Sequence, residues 1–93
     1  MSESNVAVPD TTWWVYLLAC KDGRTYAGIA IDVHARFRAH VVGRGSKFTR
    51  SNPPVEILGA RSFVGKSAAL QAEAALKKLK KSAKLEWARQ CSD

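Results

Sequence analysis

The sequence predicts a small α/β fold, in which a three-stranded antiparallel or mixed sheet is flanked by helices in the order ββαβαα. Two apolar stretches, 13–20 and 25–30, lie on either side of an Asp-Gly turn, which is typical of a β-hairpin. A third apolar stretch, 55–63, lies between two segments that carry helix start signals. Because these elements alternate within only 93 residues, they are expected to form one layered domain.

The hairpin has the sequence WWVYLLACKDGRTYAGIA, and its turn decides which face each side chain occupies. A two-residue turn at 22–23 would place Tyr16 and Tyr26 on opposite faces of the hairpin. A three-residue loop at 21–23, ending in a left-handed glycine, instead pairs Leu18 with Tyr26 and puts both tyrosines on one face. We expect the three-residue loop, because it collects most of the apolar side chains on the other face. These are Trp13, Val15, Leu17, Ala19, Ala27 and Ile29.

The remaining elements follow from capping and stop signals. Asp32 occupies an N-cap position, and the helix that it starts is expected to run to about Val42, where two glycines end it. The stretch GRGSKFTRSNPP is predicted to be a basic loop, since its prolines cannot continue a helix. Ser67 is predicted to cap a second helix that runs to about Lys81, and a short third helix is expected near 83–89.

The chain is expected to consist of a flexible tail, residues 1–11, and a single domain, residues 12–90. The tail lacks the basic start and apolar run of a secretory signal, and no apolar stretch approaches the roughly 18 residues of a membrane span. Cys20 and Cys91 are the two cysteines, and so few fit a reducing compartment better than a disulfide framework. We therefore expect a cytoplasmic protein without a membrane partner.

Positive charge is concentrated in the second part of the chain. The net charge is +7, with 13 Lys and Arg against 5 Asp and Glu in residues 32–93, but 2 against 3 in residues 1–31. This excess favours a polyanionic partner, most simply DNA or RNA, because basic side chains release counterions from phosphates. A purely solubilising charge is the alternative. The sequence does not indicate a protein partner.

Tyr16 and the triplet Tyr26-Ala27-Gly28, about ten residues apart, resemble the two half-motifs of the GIY-YIG nuclease superfamily. In that family an arginine follows on the first helix, often with a histidine one turn later, and a glutamate follows on a later helix. The matching positions here are Arg36, His40 and Glu73. The middle apolar residues of both half-motifs differ from the family pattern, whereas both tyrosines and the glycine are present.

The resemblance extends over about residues 13–85. Over this range the sequence is similar to the small stand-alone bacterial members of the family. The resemblance implies metal-dependent hydrolysis of DNA phosphodiester bonds. Because the sequence predicts no separate recognition domain, we expect a preference for branched or single-stranded DNA over a long sequence, and repair or recombination is one setting in which such DNA occurs. The resemblance also implies one Mg²⁺ or Mn²⁺ ion held by Glu73. The implied catalytic residues are Tyr16, Tyr26, Arg36, His40 and Glu73. Whether a tyrosine or His40 is the general base stays open, because a phenol with a pKa of about 10 is only about 0.1% ionised at neutral pH.

Helical geometry also allows a purely structural role for Arg36 and His40. On the first helix, Val33, Phe37 and Val41 are predicted to form the buried stripe, with Arg36 and His40 at its margin. As an alternative to a catalytic role, both residues can be boundary residues that bury the apolar part of the side chain and leave the polar end in solvent.

Glu73 also has an alternative role. It precedes Lys77 by four residues, the favourable order for a helical ion pair worth about 0.2–0.5 kcal/mol. It is, however, the only carboxylate between Ser67 and Lys84, in a helix rich in alanine and lysine. We therefore favour a role as metal ligand.

Candidate nucleic-acid contacts lie in the basic loop and in the lysine-rich helices. Basic side chains there would position a substrate through its phosphates without reading its sequence, and Phe48 can either stack on a base or anchor the loop. Phe48 stands where related sequences often have tyrosine. The candidate residues are Arg44, Lys47, Phe48, Arg50, Lys77, Lys78, Lys80, Lys81 and Lys84. A non-catalytic binding module of the same fold, or a nuclease subunit that requires a protein partner, remains an alternative to a self-sufficient enzyme.

Overall fold

A three-stranded antiparallel sheet with strand order β2-β1-β3 carries helices on both faces. The structure, a computed structural model, describes residues 11–91. Its elements are β1 (Thr12–Cys20), β2 (Thr25–Ala30), α1 (Val33–Val41), α2 (Lys47–Ser51), β3 (Pro54–Val64), α3 (Lys66–Lys77) and α4 (Lys81–Arg89). The predicted fold class is confirmed, with one additional short helix, α2. The predicted N-terminal tail lies, apart from residue 11, outside the described residues.

The β1–β2 hairpin has the register of the three-residue loop. Leu18 pairs with Tyr26, and Gly23 adopts φ 93°. The Gly23 N–H donates to the Cys20 carbonyl at 2.9 Å, and the Cys20 N–H donates to the Arg24 carbonyl at 2.8 Å. These bonds define a turn closed by a left-handed glycine. The predicted register is therefore confirmed, and both tyrosines lie on one face.

The tip of this hairpin is bound to the segment that follows α2. Asn52, which is only 5% exposed, donates from Nδ2 to the Asp22 carboxylate at 2.7 Å and accepts from the Asp22 N–H at 3.1 Å. The Lys21 N–H donates to the Pro53 carbonyl at 2.9 Å. Donors from Arg24 and Asn52, the Arg24 backbone first, lower the pKa of Asp22. The position of α2 is thereby fixed relative to the hairpin.

Two apolar clusters occupy the two faces of the sheet. The helices α3 and α4 cover the face predicted to be continuously apolar, whereas α1 covers the face that carries both tyrosines. The first cluster contains the buried residues Val15, Leu17, Ala27, Ala69, Leu76 and Ala88. The second contains Tyr16, Leu18 and Ala30, with Tyr26, Val33 and Phe37 partly buried against them. None of the helices within residues 11–91 has the length and apolarity to cross a bilayer.

The segment predicted to be a basic loop contains the helix α2, and the prediction was wrong there. Ser46 caps this helix, because its Oγ accepts from the Thr49 N–H at 3.2 Å. The helix ends when the Asn52 N–H donates to the Phe48 carbonyl at 3.0 Å. The two prolines follow this end, so they limit the length of the helix without preventing it.

The boundaries of the last two helices also differ from the prediction. Ser67 does not cap α3, because Gly65 occupies the N-cap position with φ 91° and the helix already begins at Lys66. The helix ends at Lys77, since the next two N–H groups bond to carbonyls three residues earlier, which tightens and closes the last turn. Lys81 instead begins α4, two residues before the predicted start.

The buried stripe of α1 is rotated relative to the prediction. His40 is completely buried, whereas Val41 is 46% exposed. Val33 and Phe37 are half-buried, as expected for the stripe, and Arg36 is exposed. A histidine can replace the valine in the core because both of its ring nitrogens have hydrogen-bond partners there, which removes most of the cost of burying a polar ring.

Candidate active site

A buried chain of polar side chains connects β1, α1 and α2. The Tyr16 Oη lies 3.0 Å from Nε2 of His40, and the Nδ1 of the same ring lies 2.7 Å from the Thr49 Oγ1. Tyr16 is 2% exposed, while His40 and Thr49 are fully buried. Two predicted catalytic residues thus meet directly, within a cluster that is otherwise apolar.

Burial keeps this pair uncharged. It raises the pKa of Tyr16 to about 12, although the neighbouring Arg36 guanidinium partly offsets this effect. Burial also lowers the pKa of His40, and the positive charge of Arg36 lowers it further. At neutral pH a phenol therefore faces a neutral imidazole, which is the arrangement needed to pass a proton between them.

Tyr26 extends the site towards solvent. Its ring centroid lies 5.1 Å from that of His40 in an edge-on arrangement and 5.8 Å from that of Phe48, on which it stacks at an interplanar angle of 15°. The Arg24 guanidinium lies 5.0 Å from the centre of the Phe48 ring. Since Phe48 already stacks on Tyr26, its packing favours the role of a loop anchor over that of a free platform for a base.

Two glycines allow the polar chain to form. A Cβ at Gly28 would overlap the Tyr16 hydroxyl, and a Cβ at Gly45 would overlap Nδ1 of His40. Neither glycine has a positive φ, so close approach, and not backbone conformation, accounts for both residues. The glycine of the second half-motif is therefore the place where the Tyr16 ring crosses the neighbouring strand.

The charges of Arg36, on α1, and of Glu73, on α3, both affect the Tyr16 phenol. The charge of Glu73 raises the pKa of Tyr16, and that of Arg36 lowers it. Of the five predicted catalytic residues, Tyr16, Tyr26 and His40 are thus in contact with one another through the histidine ring, whereas Arg36 and Glu73 act on the Tyr16 phenol through their charges.

The ion pair considered as an alternative role for Glu73 is present. Its Oε2 lies 3.2 Å from Nζ of Lys77, and the Glu73 side chain is 16% exposed, against 55% for the lysine. The pair does not occupy the carboxylate fully, because a carboxylate has two oxygens and about four acceptor positions. A role as metal ligand stays a prediction.

The donor set fits one kind of metal. Residues 11–91 contain no group of three or more His, Cys, Asp or Glu side chains arranged to hold an ion, so a fully protein-coordinated centre such as structural zinc does not fit. Mg²⁺ commonly binds through one or two carboxylates, several waters and a substrate phosphate. The half-buried carboxylate of Glu73 fits that mode.

Two of the elements that carry predicted nucleic-acid contacts, α2 and α4, meet the hairpin tip. Lys81, at the start of α4, donates from Nζ to the Gly23 carbonyl at 2.6 Å, and the segment after α2 binds Asp22 through Asn52. The lysine-rich part of the chain and α2 therefore approach the same turn. The exposed members of the set are Arg44, Lys47, Arg50, Lys77, Lys78, Lys80 and Lys81, whereas Phe48 and Lys84 are half-buried.

Two concave regions accompany the site. A shallow groove of about 440 Å³ runs beside Arg36, between Trp13 on β1 and Ala39 on α1. A larger cavity of about 760 Å³ is bordered by Trp14 and His34 and by none of the predicted catalytic residues. The smaller groove is thus the one next to the candidate chemistry.

Sequence reasoning missed the residues that hold this site together. Thr49 and Asn52 lie in the stretch that was predicted to be a loop, and their side chains contact His40 and Asp22. The available signal was Ser46 followed three residues later by Thr49, a spacing that is typical of a helix N-terminus.

Comparison with known proteins identifies the family of this chain. A model of the GIY-YIG catalytic domain matches residues 12–86. A UPF0213 protein of Xanthomonas axonopodis pv. citri is 45% identical over 75 residues, which cover 81% of this chain and 74% of that protein. A UPF0213 protein of Cupriavidus pinatubonensis is 45% identical over 73 residues, covering 78% and 81%. The solution NMR structure of a UPF0213 protein from Bacillus halodurans superposes with a TM-score of 0.52 and 33% identity, covering 84% of this chain and 83% of that one. The chain therefore belongs to the GIY-YIG family.

Proposed function

We propose that this protein is a metal-dependent endonuclease that hydrolyses phosphodiester bonds in DNA. The observation that carries the proposal is the 3.0 Å contact between the buried Tyr16 phenol and Nε2 of His40. A phenol paired with a neutral base is able to activate water, and an arginine is able to stabilise negative charge on a phosphate. Membership of the GIY-YIG family supports the same reaction.

The pKa of Tyr16 decides how water is activated. With a pKa of about 12, the phenol would be ionised to only about 0.001% at neutral pH, at a cost of about 7 kcal/mol. A phenolate formed in advance is therefore a poor base here. In the step we propose, the attacking water gives its proton to the Tyr16 oxygen while the Tyr16 proton moves to Nε2 of His40. The hydroxide then attacks phosphorus, the ester P–O bond breaks, and the leaving oxygen takes a proton from solvent.

Arg36 and Glu73 act on the phosphate side of this reaction. The planar guanidinium of Arg36 is exposed and can donate two parallel hydrogen bonds to phosphate oxygens, which stabilises the charge that builds up on phosphorus. Glu73 offers a carboxylate oxygen to one Mg²⁺ or Mn²⁺ ion. Such an ion, when bound, supplies a Lewis acid that polarises the phosphate.

The substrate we propose is DNA with branches, flaps or single-stranded segments, met during repair or recombination. The basic residues of α2, α3 and α4 would contact phosphates, which provides affinity without sequence specificity. Within residues 11–91 the whole sheet serves one small domain, and no separate recognition element accompanies it. Recognition by shape is consistent with such a surface.

A cleavage assay tests the proposal. Wild type is incubated with duplex, single-stranded, flap and four-way junction DNA in the presence of Mg²⁺ or Mn²⁺, beside the Glu73→Gln and Glu86→Gln variants. Glu86 is the matched control because it forms an ion pair with Arg89 within one helix. We expect Glu73→Gln to lower the rate about 100-fold or more, since metal catalysis contributes several kcal/mol, and Glu86→Gln to cleave like wild type.

Two outcomes would contradict the proposal. Salt-dependent DNA binding without cleavage of any substrate would identify a non-catalytic binding module. Cleavage that appears only after addition of a protein copurified from the native cell would identify a subunit that depends on a partner.

A further inference from the structure

Thr49 makes the second contact of the buried histidine and belongs to none of the predicted sites. It is fully buried, and its Oγ1 lies 2.7 Å from Nδ1 of His40. The same oxygen lies 3.1 Å from the Ser46 carbonyl oxygen and 3.2 Å from the Ser46 Oγ. Three polar atoms thus surround one hydroxyl group that has a single proton.

Counting protons assigns the direction of each bond. The Ser46 carbonyl can only accept, so the Thr49 hydroxyl donates its proton there. The Thr49 oxygen then has lone pairs left, and it accepts from Nδ1–H of His40 and from the Ser46 hydroxyl. This arrangement uses the one donor and both acceptor positions of the hydroxyl. If Thr49 donated to His40 instead, its oxygen would face the carbonyl oxygen of Ser46 at 3.1 Å without a proton between them.

The opposite side of the ring follows from this assignment. A neutral imidazole carries one proton, so a proton on Nδ1 leaves Nε2 as an acceptor, and the Tyr16 hydroxyl donates to it at 3.0 Å. The ring has little freedom to turn, because a Cβ at Gly45 would already overlap Nδ1 and Tyr26 lies against the ring. The pattern is the general one in which the bond made by one ring nitrogen sets the role of the other.

We propose that Thr49 is a positioning residue that holds His40 in the tautomer protonated at Nδ1, so that Nε2 can accept a proton from Tyr16. Thr49 lies on the side of the histidine away from Tyr16 and acts only through the ring. The catalytic consequence rests on the proposed nuclease function. The tautomer itself does not, and it can be measured without substrate or metal.

NMR of ¹⁵N-labelled histidine tests the proposal directly. Long-range ¹H–¹⁵N correlation at a pH above the ordinary histidine pKa distinguishes a protonated from an unprotonated ring nitrogen. A His34→Gln variant identifies which signals belong to the second histidine. We expect a protonated Nδ1 and a bare Nε2 in wild type and in Thr49→Ser. In Thr49→Val, which keeps the shape but lacks the hydroxyl, we expect the proton to move to Nε2.

The observed tautomer of His40 either supports or overturns the proposed role of Thr49. A protonated Nε2 in wild type, or an unchanged tautomer in a folded Thr49→Val, would overturn the proposal. If Thr49→Val does not fold, the spectra of wild type and of Thr49→Ser still carry the test.

On a cleaved substrate, Thr49→Val should lower kcat about 10- to 100-fold with little change in KM, as for other residues that orient a reacting group. The Thr49→Ser variant, which keeps the hydroxyl, should cleave at the wild-type rate. The expected tautomers with no cleavage by wild type would support the role of Thr49 and count only against the nuclease function.

Discussion

Tyr16 and His40, separated by 24 positions in sequence, form a hydrogen bond of 3.0 Å between two side chains almost completely removed from solvent. Burying polar groups in an apolar cluster is unfavourable unless every partner is present. Here the phenol, the imidazole and the Thr49 hydroxyl satisfy one another. The second core of this small domain thus serves stability and the candidate chemistry with the same three groups.

Replacing Tyr16 by phenylalanine should weaken both properties. The variant leaves Nε2 of His40 buried without a partner, and an unsatisfied buried polar group costs about 1–3 kcal/mol of unfolding free energy. Loss of the proton-transferring group should reduce cleavage about 100-fold or more. Urea unfolding and a cleavage assay measure the two effects. Thr12→Val, which removes an exposed hydroxyl from the same strand, is the control and should change neither.

Stability should decrease on the acid side because of His40. Burial lowers the pKa of this group in the folded protein, whereas the unfolded chain takes up the proton near pH 6.5. The neutral ring therefore contributes stability above about pH 6.5, and this stability is lost as the pH falls through the lower, folded pKa, by at most about 1.4 kcal/mol per pH unit.

The measurement is the urea midpoint between roughly pH 8 and pH 5. In His40→Gln the dependence should be shallower over this interval, whereas His34→Gln, an exposed position on the same helix, should retain the wild-type dependence. Equal slopes in wild type and in His40→Gln would show that the buried ring is not the group responsible.

The two tyrosines and the histidine differ in how far their positions could be predicted. The shared face of Tyr16 and Tyr26 follows from the alternation of apolar residues and from Gly23 at the turn, because only one register keeps one face apolar. The burial of His40 in place of Val41 does not follow from hydrophobicity. It depends on hydrogen-bond partners at Tyr16 and Thr49, which lie on other elements, and tertiary contacts of this kind have no local sequence signal.

The same reason explains the errors at the helix ends. The basic segment was assigned as a loop from its glycines and prolines, but Ser46 can cap one short turn between them. A helix of 5 residues is too short to be stable alone. It persists because Phe48 stacks on Tyr26 and Asn52 binds the hairpin tip, and neither contact can be read from the segment itself.

Gly28→Ala should displace the Tyr16 ring. The added Cβ would overlap the phenol oxygen and the ring carbon that bears it, and overpacking of this kind typically costs about 1–3 kcal/mol. A double-mutant cycle with Tyr16→Ala identifies the cause. If the clash with the phenol is responsible, Gly28→Ala should cost much less in the Tyr16→Ala background. An equal cost in both backgrounds would point to the strand itself and contradict the packing argument.

DNA binding should depend on salt through the basic residues of α2 and of the start of α4. Each phosphate contact contributes about 0.7 to the slope of log affinity against log salt concentration for single strands, and about 0.9 for duplexes. Lys81→Gln and Arg50→Gln should each weaken binding. Each should also reduce the slope by the amount that one phosphate contact contributes. Fluorescence anisotropy over a salt series in EDTA, which prevents cleavage, measures both quantities.

Arg89→Gln is the control, because Arg89 pairs with Glu86 near the end of α4 and lies outside the predicted contacts. If all three variants changed the slope equally, binding would reflect the net charge of +7, whereas a selective effect would place the DNA backbone beside the turn that aligns the two tyrosines.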